Sequence, residues 1–180
     1  MVILSFLGIF LGIIVTFFFS LTFLISKNLR KLRRNINFNY SHLEVHFQKR
    51  NNEVKEIISL CKSLKKYNSA NFKKVEDLLE EISLFEEKKE DEIYKNKTIF
   101  SFEPELDKEL TDLLALLYQK HKTLKTNNDF LRNRMRLSQQ QTALKKTMLT
   151  YNEEAEIYNI RLKQFPDSLF AKRLSPYKPI

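Results

Sequence analysis

The sequence predicts an all-α fold in which a single N-terminal transmembrane helix leads into an antiparallel four-helix bundle with long first and last helices. Three observations carry this. The 180 residues include only two glycines and four prolines, so hairpin turns and Gly-rich ligand loops are almost excluded. Residues 1–26 contain no charged side chain. Beyond them, apolar residues return at helical intervals nearly to the end of the chain. The length suits one membrane helix and one domain of ordinary size. The expected organisation is therefore an anchor over 1–26, a helical domain over 27–174 and a tail over 175–180.

The anchor reads MVILSFLGIFLGIIVTFFFSLTFLIS, which at about 1.5 Å per residue is long enough to cross a bilayer with some tilt. A cleaved signal peptide is the competing reading, but no basic residue precedes the apolar run, the run is too long, and no A-x-A site follows it. Lys27, Arg30, Lys31, Arg33 and Arg34 come next, with no acidic residue before Glu44. Positive charge stays on the cytoplasmic side, so the expected location is a membrane, single-pass, with the N-terminus outside and the C-terminal domain in the cytosol. The same basic cluster can hold anionic headgroups. Within the span, Gly8, Gly12, Thr16 and Ser20 fall four apart and make one narrow face of small side chains, the pattern through which membrane helices self-associate.

The first cytosolic segment carries Leu29, Ile36, Leu43, Ile57 and Leu64 at seven-residue spacing, interleaved with Tyr40, Phe47, Val54 and Cys61. Arg50 alone breaks the stripe. Nothing between this segment and the anchor stops a helix, so the two are expected to be continuous, ending near Tyr67 to Asn71, where YNSAN offers turn and cap residues. A second helix places Phe72, Val75, Leu79, Ile82 and Phe85 on one side and glutamates and lysines on the other. Residues from about Tyr94 to Glu103 read as a loop. Pro104 suits the first turn of a third helix with Leu106, Leu110, Leu113, Leu117 and Leu124, and Asn127 or Asn128 caps a fourth.

In that fourth helix Phe130, Arg134, Leu137, Gln141, Leu144, Met148, Tyr151, Ala155, Tyr158, Leu162 and Phe165 alternate steps of four and three. A residue before proline is pushed from the α region, so the helix is expected to stop or bend at Phe165, with Pro166 opening a short turn through Asp167 to Lys172. Tyr151, Tyr158 and Phe165 share one stripe, which predicts buried rings whose two hydroxyls find partners. Asn152 and Asn159 flank it, and their amides can satisfy a helix end or the tail after Pro166; the alternative is that they face outward and bind a peptide or a partner helix. Arg50 and Gln141 both interrupt apolar stripes, so a buried pairing between them is the expected solution for the guanidinium.

The run Tyr151-Asn152, Tyr158-Asn159, Phe165-Pro166, then Leu169, Ala171 and Lys172, resembles the signature of the bacterial LemA family. Leu124-Lys125, Asn127 and Phe130-Leu131 resemble the segment before that family's last helix. Lys31-Leu32-Arg33, Val45, Phe47, Lys49-Arg50 and Val54 are similar to its first. The resemblance covers most of the chain except roughly residues 88 to 104. It departs at Asn52 to Lys55, where the family has Asp-Leu-Ile-Pro, at Gln141 and Met148, where it has glutamate and arginine, and at Leu174-Ser175-Pro176 in place of a glycine-bearing tail. The resemblance implies a membrane-bound cytoplasmic helical bundle and no reaction.

The residues themselves offer little chemistry. His42 and His46 lie four apart, but the intervening sequence is not H-E-x-x-H and Glu44 points to another face. His121 has no nucleophile beside it. Cys61 sits on the stripe and reads as a buried, inert thiol. No catalytic residue, cofactor or metal is therefore expected. The net charge of +9 raises nucleic acid through Lys120, Lys122, Lys125, Arg132, Arg134 and Arg136, yet no recognised motif accompanies them. The expected function is a non-enzymatic scaffold or protein-interaction module. A basic module for nucleic acid or anionic lipid is the alternative, and a rotary ATP synthase stalk is a weaker one, because Pro104 and Pro166 imply folding back. The expected partners are membrane lipid around the N-terminal helix, a second copy of the chain, and proteins that the sequence does not name, with nucleic acid the weaker expectation.

Overall fold

A computed structural model of the chain describes residues 2–63, 72–88, 98–120, 122–169 and 174–180. Among the described residues there are four α-helices and no strand: α1 (Val2–Ser63), α2 (Lys73–Glu87), α3 (Glu103–Lys120) and α4 (Asn128–Lys163). Short 3-10 turns at Ile99–Phe102, Lys122–Thr126 and Asp167–Leu169 join or follow them. As the absence of breakers predicts, α1 runs without interruption from the apolar leader into the heptad segment. Leu64, the expected helix end at Tyr67 to Asn71, most of the loop begun at Tyr94, His121, Ala171 and Lys172 lie outside the described residues.

By packing, the chain divides into two compact units, Met1–His42 with Thr147–Pro179, and Leu43–Lys146. In the first unit, the side chains of residues 8–20 on α1 are all exposed, and burial begins at Ile25 and continues through Leu29 and Ile36. Tyr151, Ala155, Tyr158 and Leu162 of α4 are buried in the same unit. The Tyr40 and Tyr151 rings stand 6.0 Å apart, and the Asn39 amide donates to Glu154 at 2.7 Å.

In the second unit, the stripe from Leu43 through Phe47, Val54 and Ile57 to Cys61 is buried, as are Phe72, Val75, Leu79, Ile82 and Phe85. Two features of this unit differ from the sequence reading. Ile99–Phe102 is not loop but a 3-10 turn, because Ile99, Phe100 and Phe102 are buried; Phe100 meets Phe47 edge-on at 5.6 Å and Phe102 meets Phe85 at 5.7 Å. Leu124 is buried from the turn after α3 rather than from α3 itself. Pro104 sits just inside the start of α3, where its missing N–H costs nothing. Of the two candidate caps, Asn127 is the one used: its Oδ1 accepts from the Phe130 N–H at 2.9 Å, satisfying one of the free donors at the start of α4.

In the ladder of α4 the residues Phe130, Leu137, Leu144, Tyr151 and Tyr158 are buried, joined toward the end of the helix by Ala155 and Leu162. Arg134 is exposed, and Gln141 and Met148 are half-buried. Phe165 does not continue the ladder: it is 79% exposed. The helix stops at Lys163, two residues earlier than expected, so the seven-residue step from Tyr158 no longer follows helical geometry.

Candidate functional site

The Tyr-Asn repeat of α4 organises the C-terminal tail. Asn159 makes two bonds to one backbone residue, its Nδ2 donating to the Tyr177 carbonyl at 2.7 Å and its Oδ1 accepting from the Tyr177 N–H at 2.9 Å. A side-chain amide used this way reads main chain as a neighbouring strand does, without regard to the side chain it holds. The Tyr151 hydroxyl donates to the Lys178 carbonyl at 3.1 Å. Tyr177 is gripped at its other end as well, its hydroxyl donating to Asn37 at 2.6 Å and its ring meeting Tyr158 edge-on at 5.4 Å. Burial raises the Tyr151 phenol from 10.0 to about 12, helped by the neighbouring Tyr40 and Tyr177 phenols. Burial also raises Tyr158, against the pull of the Arg33 guanidinium.

The asparagine reading in which an amide meets the tail after Pro166 therefore describes Asn159. Asn152 is half-buried beside it. Of the remaining motif positions, Phe165 is exposed, Pro166 is half-buried, Leu169 ends the last described turn, and Ala171 and Lys172 lie outside the described residues. Tyr177 was invisible to the periodicity argument because it belongs to no helix. Its one signal is the pair of prolines, Pro176 and Pro179, that favour an extended segment.

In the second unit Arg50 is fully buried. It does not pair with Gln141. Its guanidinium lies 2.5 Å from the Glu103 carboxylate, contacts Asn51 at 3.4 Å and stands 4.8 Å from the Phe47 ring centroid. Gln141 instead donates to Asp107 at 3.2 Å, and Lys145 reaches the same carboxylate at 3.1 Å. A full positive charge in a dry interior takes a full negative charge as partner before it takes an amide, and Glu103, at the start of α3, supplies it. The close Arg50–Glu103 approach is poorly aligned, leaving Nε and Nη1 of Arg50 without a well-directed acceptor. Burial pushes the Glu103 carboxyl above its ordinary value, with Arg50 opposing that shift.

The remaining candidates are occupied otherwise. His46 Nδ1 is 3.1 Å from the side-chain Oε1 of Gln140, and the His42 ring packs on Phe38 at 4.4 Å. Among the described residues, no group of three or more His, Cys, Asp or Glu side chains is placed to hold a metal. Cys61 is fully buried, and burial lifts its thiol to about 11. Lys125 and Arg134 both lie over the Tyr118 ring, at 5.7 and 4.1 Å, and Arg132 approaches Asp129 at 3.9 Å. An open groove of about 410 Å³ between α1 and α2 is lined by Lys55, Ile58, Lys62, Glu76, Leu79 and Glu80, with Lys62 and Glu76 bridged across it at 2.5 Å.

Lys27, Arg30, Lys31, Arg33 and Arg34 are exposed. A side-chain carbon added at Gly8 or Gly12 would meet nothing within 4 Å. The Thr16 hydroxyl is turned back onto the Gly12 carbonyl at 2.8 Å. Ser20 is exposed on the same helix. The sequence profile of the LemA family matches residues 39–178, which include both the buried ion pair and Tyr177. No curated protein and no solved structure matches the chain.

Proposed function

The chain belongs to the LemA family, and from that premise we propose that it is a non-enzymatic, single-pass membrane protein whose helical bundle serves as a scaffold or protein-interaction module on the cytosolic face of a bacterial membrane. One observation carries the reading: an apolar helix with the side chains of residues 8–20 exposed runs unbroken into the helix that supplies the core of the body. An exposed surface of Ile9, Phe10, Leu11, Ile13, Phe17, Phe18 and Phe19 is unfavourable in water and favourable in lipid. The basic residues that follow favour a cytosolic body. Pairing of Tyr40 with Tyr151, and of Asn39 with Glu154, supports an antiparallel course for the two long helices.

The family is not a known enzyme family, and the buried charges described above have structural partners, which favours an interaction role over catalysis. Leu149, Ile157 and Ile160 of α4 are exposed apolar side chains on the helix that holds the C-terminal segment 174–180, the strap bound by Tyr151 and Asn159, and they are the positions from which a partner would be sought. Photocrosslinkers at Leu149 and Ile160 in living cells should capture a defined protein. Capture no stronger than from exposed Lys146 or Glu156 would count against an interaction surface there. Protease added outside intact spheroplasts should leave the body whole, and its digestion would overturn the topology.

A further inference from the structure

Phe165 has the largest exposure of any large hydrophobic side chain described, and its height along the first unit explains why that is tolerated. Tyr40 lies against Tyr151, and one heptad nearer the anchor the Arg33 guanidinium acts on Tyr158. Stepping the same register onward sets Lys163, the last residue of α4, beside Asn28, and Phe165 follows it by two residues, in the turn past the helix end. Burial of Leu162 together with Ile25 and Leu29 agrees with that register. The uncharged leader meets Lys27 at Ser26, two residues from Asn28, so the exposed ring stands near the boundary between apolar span and basic collar. Lys27, Arg30 and Lys31 on α1 and Arg161 and Lys163 on α4 are all exposed at this height, against the half-buried carboxylate of Asp167.

We propose that Phe165 and this collar form a second membrane contact, in which the ring enters the boundary between headgroups and acyl chains while the five basic side chains bind anionic phospholipid headgroups. The proposal rests on the anchor reading. The leader alone would leave helix and body free to tilt together in the bilayer, whereas an aromatic ring at interface depth, flanked by cations, fixes their orientation. Anionic lipid is the occupant that fits, because the ring lies close to the end of the apolar leader and the charge at that height is positive. The segment is short and lies beside the anchor, so the contact adds little reach but places α4 and the strap close to the bilayer.

The chain has no tryptophan, so single substitutions report depth without background. Full-length Phe165→Trp, Phe18→Trp and Phe38→Trp would be reconstituted into vesicles of phosphatidylcholine alone and of equal parts phosphatidylcholine and phosphatidylglycerol, with quenching by lipids brominated near the headgroup. Phe38 is 63% exposed but lies farther along α1, so it serves as the control for the body. The expected result is blue-shifted, quenched emission from Phe165→Trp, stronger with phosphatidylglycerol and weakened by Arg161→Gln with Lys163→Gln, while Phe38→Trp stays water-like. If Phe18→Trp senses lipid but Phe165→Trp does not, or if Phe38→Trp is quenched equally, the second contact is overturned and the anchor stands. Equal quenching of Phe165→Trp in the two lipids overturns the headgroup assignment. If Phe18→Trp is also water-like, the anchor reading itself fails.

Discussion

At the scale of single residues, Arg50 sits at 0% exposure with one short, poorly aligned contact to Glu103. Removing one member of such a pair leaves the other charged, buried and alone, which typically costs about 3–5 kcal/mol, whereas removing both is often close to neutral. Arg50→Met is therefore expected to lower the melting temperature sharply, and Arg50→Met with Glu103→Leu to recover most of the loss. A double variant no better than the single one would show that the guanidinium is held by something other than Glu103. Cys61 offers a second residue-scale test. Its thiol is fully buried and raised to about 11, so at neutral pH it is protonated and shielded. Alkylation should be slow in the native chain and rise with denaturant in step with loss of helix; fast labelling of the folded protein would mean that the second unit opens locally.

Tyr151 carries the pH dependence. In the unfolded chain its phenol ionises near 10.0, while in the folded chain it keeps its proton to about 12. Between those values the folded state binds more protons, so stability falls as pH rises through the window. Tyr151→Phe loses the bond to Lys178, worth about 1 kcal/mol net, and is expected to be the less stable protein below pH 10. The gap should narrow or reverse toward pH 12, because the variant has no phenol to ionise there. A gap that stays constant in denaturant titrations across this range would place the Tyr151 hydroxyl in water.

At the scale of elements, the strap depends on one side chain. Asn159→Ala leaves both the N–H and the carbonyl of Tyr177 without their amide partner. At about 1 kcal/mol per bond, loss of two predicts amide exchange at Tyr177 about 30-fold faster, and faster trimming by carboxypeptidase. Unchanged exchange would mean that the ring of Tyr177, not its backbone, holds the tail. The asparagine flanking the seam was legible from its place beside a periodic aromatic ladder. Its partner was not, since Tyr177 lies in a Pro-flanked extended segment that carries no period. The same contrast runs through the helices. Stripes such as Leu43, Phe47 and Val54 are written in local spacing and are buried accordingly, and the cap at Asn127 is written locally too. The choice of Glu103 over Gln141 for Arg50 depends on which helix start comes within reach in space, and spacing along the chain does not encode that. Phe165 shows the reverse case, in which a correct spacing was overridden because proline ended the helix first.

For the whole molecule, the arrangement of packing makes a prediction about where the chain can be cut. The first unit draws Ile25, Leu29 and Ile36 from α1, and Ile25 lies within the uncharged leader. The family match begins only at residue 39, so a body trimmed to the matched region would lose all three. Fully burying a large aliphatic side chain contributes about 1.5–3 kcal/mol, and the loss would fall on Tyr151, Ala155, Tyr158 and Leu162 across the same unit. A chain begun at Leu21 should keep α4 helical to its end. A chain begun at Asn39 should lose exchange protection from about Thr147 onward, releasing the strap with it, while the second unit, whose core starts at Leu43, keeps its protection. Hydrogen exchange on the two truncations distinguishes these outcomes. Full protection of α4 in the shorter chain would mean that its last turns are held without α1, and the membrane-proximal part of the first helix would then serve only to connect anchor and body.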